Sequence, residues 1–262
     1  MIPEAAITHW RNVAPWPQDA QVEQDLILSR ALVEIFQEPG LASAVLLRGG
    51  TALHKLFLHP ARRYSEDIDL VQARPGPIGP ILDAIRSRLD PILGTPRREH
   101  NPGNVTLRYR VESEIPPVVP LRLKVEINTR EHFVVFGAAT RSYGVHSPWF
   151  EGGAPVQTYV LEELRATKLR ALFQRRKGRD LFDLSTGLEQ GGADPGRIVE
   201  AFRAYMKAEG RAVSRTAFER NLIAKTGSRP FNDDLRPLLT PTVRYDATEA
   251  ARVVTARLLA LL

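Results

Sequence analysis

Two aspartates separated by a single residue are the side chains in this sequence that are best placed to do chemistry. Asp67 and Asp69 lie in the segment Arg-Tyr-Ser-Glu-Asp-Ile-Asp-Leu, residues 63–70. On a β-strand both carboxylates point to one face, while Ile68 and Leu70 point to the other face and into a core. Mg²⁺ binds one or two carboxylates together with substrate phosphates, so the pair predicts a metal site. The alternative is a strand end with solvated aspartates.

A Gly-Gly-Thr turn precedes this pair and predicts a phosphate site. Gly49, Gly50 and Thr51 separate a short apolar run from an amphipathic segment. Glycines between a strand and a helix let a phosphate approach the backbone amides, and the start of the helix favours an anion. Thr51 can cap that helix and offer a hydroxyl. Alone, the turn could be an ordinary tight turn; with the aspartates, it predicts that one element binds phosphate and the other binds metal.

A third carboxylate fits the same chemistry. Apolar and polar residues alternate over residues 121–128, which predicts a half-buried strand with Glu126 on its polar face. Two-metal phosphoryl or nucleotidyl transfer needs a cluster of carboxylates, and Glu126 could join the two aspartates from a neighbouring strand. The alternative is a cross-strand salt bridge from Glu126 to Arg122 or Arg130.

A lysine on a predicted helix needs a charged partner. Lys168 lies in residues 161–177, at a position where helical periodicity places an apolar side chain. Because a buried charge must be compensated, a triphosphate is one candidate partner. Asp180 and Asp183, three residues apart on one face of the next predicted helix, are the other. Direct contact of these two aspartates with a nucleotide is an equal alternative.

The elements that must position these residues divide into two regions. Residues 1–17 are predicted as an irregular arm. Strands are predicted over residues 44–47, 67–71, 105–111, 121–128 and 132–138. Helices are predicted over residues 21–37, 51–58, 81–89, 161–177, 180–188, 197–207, 215–223 and 247–262. We therefore expect an α/β (α+β) N-terminal domain with a mixed sheet, residues 1–152, and a mostly helical basic domain, residues 153–262, in a bilobed molecule with a cleft.

Composition excludes several classes of protein and suggests a partner. The chain of 262 residues contains no cysteine, which excludes disulfides, thiol catalysis and cysteine-ligated zinc. No apolar run approaches the roughly 18 residues of a membrane helix, and no secretory signal is visible, so we expect a cytoplasmic protein. The net charge of +6 arises entirely in residues 153–262. This excess suggests a polyanion such as RNA, with Arg175, Arg176 and Lys177 as candidate contacts; a solvated basic surface is the alternative.

Taken together, the motifs resemble the AbiEii/AbiGii nucleotidyltransferase toxins, including the MenT-like toxins, of the DNA polymerase β-like superfamily. The resemblance rests on Gly-Gly-Thr at 49–51, Arg-Tyr-Ser-x-Asp-Ile-Asp from 63, Lys-Val-Glu-Ile-Asn from 124, Lys-Leu-Arg from 168 and Lys-Gly-Arg-Asp-Leu-x-Asp-Leu from 177. It implies a minimal nucleotidyltransferase sheet, a helical second domain and a nucleotide-binding cleft between them.

The resemblance also implies an activity and roles for single residues. It implies a toxin, paired with an antitoxin that is often a winged-helix repressor, which transfers NMP from an NTP to the 3′ end of tRNA and so blocks translation. Mg²⁺ or Mn²⁺ would be the cofactor, bound by Asp67 and Asp69, with Glu126 where a third carboxylate is expected. These three residues and Lys168 would be catalytic. Nucleotide contacts would come from Gly49, Gly50, Thr51, Ser65, Lys168, Asp180 and Asp183.

Two other functions fit parts of the sequence. The same metal site could serve transfer to a protein hydroxyl or a small molecule. A cationic antibiotic would need an acidic pocket, which the basic C-terminal region does not favour. A non-catalytic relative that only binds a partner is the third possibility, and the intact Asp67, Asp69, Gly49, Gly50 and Lys168 argue against it.

Overall fold

The computed structural model describes residues 2–240 and 242–262. The chain forms two compact units. The N-terminal unit comprises the residues up to Phe133 together with Ala138–Tyr159, and the C-terminal unit comprises Val134–Gly137 and Val160–Leu262. The chain therefore passes from one unit to the other three times. Among the described residues, no helix is long and apolar enough to cross a membrane.

The N-terminal unit is built on one mixed sheet. Its strands are β1 (Val45–Arg48), β2 (Asp67–Gln72), β3 (Arg97–Asn101), β4 (Asn104–Glu112), β5 (Pro120–Asn128), β6 (Ala138–His146) and β7 (Glu151–Tyr159). Their order is β3-β4-β5-β2-β1-β7-β6. Strand β2 runs parallel to β5 and antiparallel to β1, and β1 runs parallel to β7. Its helices are α1 (Glu4–Trp10), α2 (Asp19–Gln37), α3 (Pro39–Ala44), α4 (Gly49–Leu56) and α5 (Gly79–Leu93).

The strands β2 and β5 follow the alternation that the sequence predicts. Ile68, Leu70, Val125 and Ile127 are at most 1% exposed and face the core, against which α2 packs. Successive side chains on a strand alternate between faces, so the intervening polar residues lie on the opposite face. That polar face carries the candidate site.

Both edge strands, β3 and β6, and the inner strand β7 were not predicted, and one predicted strand is wrong. Strand β3 is Arg-Arg-Glu-His-Asn, whose mostly exposed side chains show no apolar alternation. Residues 132–137 contain no strand, and β6 begins only at Ala138. The predicted irregular arm at residues 1–17 contains helix α1, because Ala6, Ile7 and Trp10 are buried on one side of it.

The predicted domain boundary falls between two glycines, Gly152 and Gly153, that lie within a strand. Gly152 pairs with Val145 and Gly153 pairs with Gly144 across β6 and β7. The predicted boundary between residues 152 and 153 therefore falls inside β7, and the compact units divide after Tyr159. Glycine is depleted in strands, so the sequence favoured a linker at a point where the chain forms a ladder of hydrogen bonds.

Helices make up the C-terminal unit. Those of the described residues are α6 (Leu161–Gln174), α7 (Gly178–Gln190), α8 (Pro195–Ala208), α9 (Arg215–Thr226), α10 (Arg229–Asp233) and α11 (Ala247–Arg257), with 3₁₀ turns at Arg236–Leu238 and Leu259–Leu261. The aromatic side chains of Phe202, Phe218 and Phe231 are buried in its core.

A buried glutamate binds the short segment Val134–Gly137, which belongs to this unit although its neighbours in the sequence belong to the N-terminal unit. The Glu163 carboxylate accepts hydrogen bonds from the backbone N–H groups of Val135 (2.7 Å) and Phe136 (3.0 Å). It also accepts one from the hydroxyl of Tyr205 at 2.7 Å. Because Glu163 is fully buried, these three donors offset the cost of removing its charge from water.

Candidate active site

Neighbouring parallel strands bring the three predicted carboxylates together. Asp67 and Asp69 lie on the polar face of β2, and the register places Asp69 directly opposite Glu126 on β5. Side chains opposite one another on adjacent strands have Cβ atoms roughly 5 Å apart. The juxtaposition expected from the sequence is therefore present, on a face where Asp67 and Glu126 are both part-exposed.

Lys124, which was not among the predicted site residues, lies among these carboxylates. The Nζ atom of Lys124 is 2.9 Å from Oδ2 of Asp67 and 3.4 Å from Oε2 of Glu126. This ion pair replaces the predicted alternative of Glu126 with Arg122 or Arg130. The alternation of β5 could have revealed it, because residues 124 and 126 share a face.

The donor set suits a divalent cation, but it is not arranged as a closed metal site. Within the described residues, no group of three or more His, Asp or Glu side chains is positioned to hold a metal ion. Burial raises the pKa of Asp67, Lys124 opposes that rise, and the neighbouring charge of Asp69 adds to it. A cation beside Asp67 is therefore favourable, and the carboxylate oxygens of Asp67 and Asp69 are the ligands that Mg²⁺ prefers.

The Gly-Gly turn packs directly against these groups. Gly49 has a φ of +79°, and a Cβ atom added to it would overlap Oδ2 of Asp69 and lie 3.1 Å from its Cγ. A Cβ on Gly50 would overlap Nη2 of Arg63 and lie 3.1 Å from Oγ of Ser65. Helix α4 begins here without a side-chain cap, so the N–H groups of its first turn can serve an anion.

Thr51 is used inside the protein and does not cap α4 as predicted. It is fully buried, and its hydroxyl donates to the backbone oxygen of Asp67. Its Oγ1 atom also lies 2.8 Å from Oγ of Ser65. Thr51 therefore joins the start of α4 to the start of β2, which fixes the turn relative to the aspartates. Arg63, almost fully buried beside the same turn, donates from Nη1 to the backbone oxygen of Tyr64 at 2.9 Å.

The second group of predicted residues lies in the C-terminal unit. The Nζ atom of Lys168 is 3.2 Å from Oδ1 of Asp180 and 2.9 Å from Oδ2 of Asp183, and all three side chains are buried. Arg175 adds hydrogen bonds to Asp180, from Nε at 2.7 Å and Nη2 at 2.9 Å. Burial acts to raise the pKa of Asp180, but Lys168 and Arg175 outweigh it and leave that pKa lowered.

The predicted RNA contacts are less available than their charges suggest. Arg175 is engaged with Asp180, and Lys177 forms an ion pair with Asp234 at 3.0 Å. Arg176 is exposed on the same turn. Arg165 and Arg170, which belong to the same run of basic residues without an intervening acidic residue, are buried. The run therefore does not form a continuous exposed basic face, because helix packing turns its first half inward.

A family of known proteins matches most of the sequence. The model of the AbiEii family, described as a nucleotidyl transferase toxin of a type IV toxin–antitoxin system, matches residues 30–252. No curated protein matches the sequence.

Solved structures share the fold. MenT4, a nucleotidyltransferase toxin from Mycobacterium tuberculosis H37Rv, is 16% identical, with a TM-score of 0.71 over 100% of this chain and 91% of that one. JHP933 from Helicobacter pylori is 17% identical, with a TM-score of 0.55 over 92% of this chain and 90% of that one. The family match spans most of the sequence, and the Gly-Gly turn and paired aspartates lie within it. The chain therefore belongs to the AbiEii family of nucleotidyltransferase toxins of toxin–antitoxin systems.

Proposed function

We propose that this toxin is a divalent-metal-dependent enzyme that transfers NMP from an NTP to the hydroxyl at the 3′ end of tRNA. One observation carries the proposal: Gly49 packs on Asp69, whose register partner is Glu126, so a helix start without a side-chain cap adjoins a carboxylate cluster. A triphosphate needs an anion site and a cation site side by side, and this arrangement offers both.

In the reaction, the acceptor oxygen attacks the α-phosphorus, the bond to the β-phosphate oxygen breaks, and pyrophosphate leaves. A bound divalent cation would neutralise the phosphate charge and promote ionisation of the attacking hydroxyl. Asp67 and Asp69 would hold it, with Glu126 beside them. The first N–H groups of α4 would bind a phosphate, and the charge of the buried Arg63 would favour the anion at that turn.

Lys124 gives the N-terminal unit a way to tolerate its carboxylates before a metal binds. Its ammonium group lies within ion-pair distance of both Asp67 and Glu126. Like charges held together on adjacent strands destabilise a sheet, and one lysine offsets part of that repulsion. We propose that Lys124 turns away from Asp67 when the metal and the triphosphate bind.

Lys168 remains a proposed phosphate contact. An ammonium group has three donors, and Asp180 and Asp183 occupy two of them. The third can serve a phosphate oxygen, so the buried triad can both join α6 to α7 and offer one hydrogen-bond donor. Asp180 and Asp183 would then orient Lys168, and they would act on the nucleotide through Lys168 rather than by direct contact.

RNA is the acceptor favoured by charge. The C-terminal sequence carries the whole excess of +6, and Lys and Arg contacts to phosphates supply affinity for any nucleic acid. A protein hydroxyl is the second candidate acceptor. Family membership implies an antitoxin partner, and we propose a winged-helix repressor for that role.

Incubation of the purified chain with total RNA and each α-labelled NTP in Mg²⁺ tests the proposal. We expect label in RNA of tRNA size, sensitive to ribonuclease and lost when Mg²⁺ is chelated. Added cell protein serves as the competing acceptor. Label recovered only in protein, or transfer that persists without a divalent cation, would contradict the proposal.

A further inference from the structure

Cations are concentrated on one face of three adjacent strands in the N-terminal unit. The register places Lys124 of β5 opposite Arg108 of β4, which lies opposite Arg97 of β3. Two residues further along the strands, Arg122 of β5 lies directly opposite Arg110 of β4. These five residues, which we term the basic sheet face, form two rows on the polar side of the sheet. Adjacent strands lie ~4.8 Å apart, and the two rows are separated by ~7 Å.

The first row has acidic partners. Glu99 lies 2.8 Å from Nε of Arg108 and 3.7 Å from Nε of Arg97. Lys124 lies against Asp67 at 2.9 Å. The first row therefore ends at one of the candidate metal ligands.

The second row has no such compensation. Neither Arg110 nor Arg122 forms an ion pair with any residue that the structure describes, and both side chains are exposed. Glu112, two residues from Arg110 on the same face, also makes no ion pair within the described residues. Like charges directly opposite on antiparallel strands destabilise the sheet. An anion bound between Arg110 and Arg122 would offset this repulsion, which would explain why the two arginines face each other.

The position of the pair indicates which anion. In the parallel register, Asp67 lies opposite Lys124, so Arg122 lies two residues before that point on the neighbouring strand. In backbone terms, Arg122 is thus about 8 Å and Arg110 about 12 Å from the candidate catalytic aspartate. A strand whose terminal hydroxyl reacts at Asp67 must carry its preceding phosphates away from that point.

We propose that the basic sheet face binds the phosphodiester backbone of the acceptor RNA next to its 3′ end, with Arg110 and Arg122 as the principal phosphate contacts. The proposal rests on the proposed function, and it places RNA contacts in the N-terminal unit. The charge pattern of the sequence predicts them instead at Arg175, Arg176 and Lys177, two of which are engaged in ion pairs. Arginine offers planar, multiple donors to a phosphate, which suits this role.

The test compares the full chain with the double variant Arg110→Gln/Arg122→Gln. We expect the dissociation constant for tRNA to rise about tenfold at 0.1 M salt, and the slope of log K against log salt to fall by about 1.4–1.8, because two phosphate contacts are lost. KM for tRNA should rise while kcat at saturating tRNA is retained. The thermal midpoint should equal or exceed that of the wild type, since cross-strand repulsion is removed.

A matched control removes the same charge from exposed arginines elsewhere. Arg215 and Arg252 each pair with a glutamate on their own helix, and Arg215→Gln/Arg252→Gln should leave the salt slope unchanged. Wild-type affinity and slope in the sheet variant would overturn the proposal while leaving the proposed function intact. An equal loss of poly-glutamate binding would assign the face to an acidic protein and also overturn it. Failure of the wild type to bind or modify any RNA would instead refute the proposed function.

Discussion

Replacement of Lys168 by methionine should destabilise the protein strongly. Lys168 is the cation shared by Asp180 and Asp183, at 3.2 and 2.9 Å, and both aspartates are at most 1% exposed. Removing one partner of a buried ion pair costs about 3–5 kcal/mol, because a charge is left uncompensated. Arg175 still serves Asp180, so the loss falls mainly on Asp183. At about 2–4 °C per kcal/mol for a chain of this size, the melting temperature should fall by roughly 10 °C.

The pH dependence of this loss provides a sharper readout. The lowered pKa of Asp180 means that its stabilising contribution is present above the unfolded pKa of about 3.9 and is lost as the pH falls through the folded value. In Lys168→Met, protonation relieves the uncompensated charge. Because burial without a partner raises the pKa of a carboxyl group, the difference in unfolding free energy between variant and wild type should shrink as the pH falls from 7 towards about 4.

Urea unfolding followed by circular dichroism at pH 7, 5 and 3.5 measures both quantities. Lys168→Met/Asp183→Asn should recover at least about 1 kcal/mol relative to the single variant, since the stranded charge is removed. Lys207→Met, which replaces an exposed lysine on α8, is the control and should stay within about 0.5 kcal/mol of the wild type. A loss below about 1 kcal/mol for Lys168→Met, or a difference that is constant down to pH 3.5, would refute the reasoning.

Two further predictions concern positions where the backbone or the solvent environment is unusual. Gly49→Ala should lower the free energy of unfolding by about 1–3 kcal/mol and reduce transfer at least tenfold, because the φ of +79° disfavours a side chain and the new Cβ would displace Asp69. Gly79→Ala, at a position with open space at the start of α5, is the control and should change neither quantity. Full activity of Gly49→Ala would contradict this prediction. Burial, followed by the nearby charge of Arg176, lowers the pKa of Lys225 to about 8. Unfolding free energy should therefore rise by about 3 kcal/mol between pH 8 and 10.5, as the native state loses the proton before the unfolded state does. Lys225→Met should remove this rise in urea unfolding, and an unchanged pH slope would show that the lysine titrates normally.

The part of the site that alternation controls could be predicted from the sequence. A period of two placed Ile68 and Leu70 in the core and the two aspartates on the opposite face. The same period placed Glu126 on a polar face, but only the pairing of β2 with β5 set it opposite Asp69. Register between strands distant in sequence depends on the whole sheet, so it could not be predicted locally.

Helical charges were harder to interpret. A lysine at an apolar position correctly indicated a buried, partnered charge at Lys168. Arg165 and Arg170 precede the charges of residues 175–179 with no acidic residue between, which suggests one basic surface, yet both are buried. Long side chains can bury their stems and reach partners far away in sequence, as Arg170 does with Glu209.

The strands β3, β6 and β7 were missed for a related reason. β3 consists of polar residues, and β6 and β7 contain glycines where a strand former is expected. Their pairing is stabilised by the ladder of backbone hydrogen bonds with neighbouring strands, which leaves little trace in side-chain pattern. The rows of basic residues on β4 and β5 could not be predicted from the sequence, because they depend on the register between the two strands.

Transfer of labelled NMP to total RNA by Asp67→Asn and Asp69→Asn tests the central claim most directly. Because each aspartate would hold the metal that stabilises the transition state, we expect either substitution to reduce transfer about a thousandfold, a loss of several kcal/mol, while the thermal midpoint stays near the wild-type value. Asp83→Asn, at an exposed position on α5, controls for the loss of a carboxylate and should retain full activity. Near-normal turnover in either site variant, with folding intact, would show that the paired aspartates of β2 are not the catalytic metal ligands.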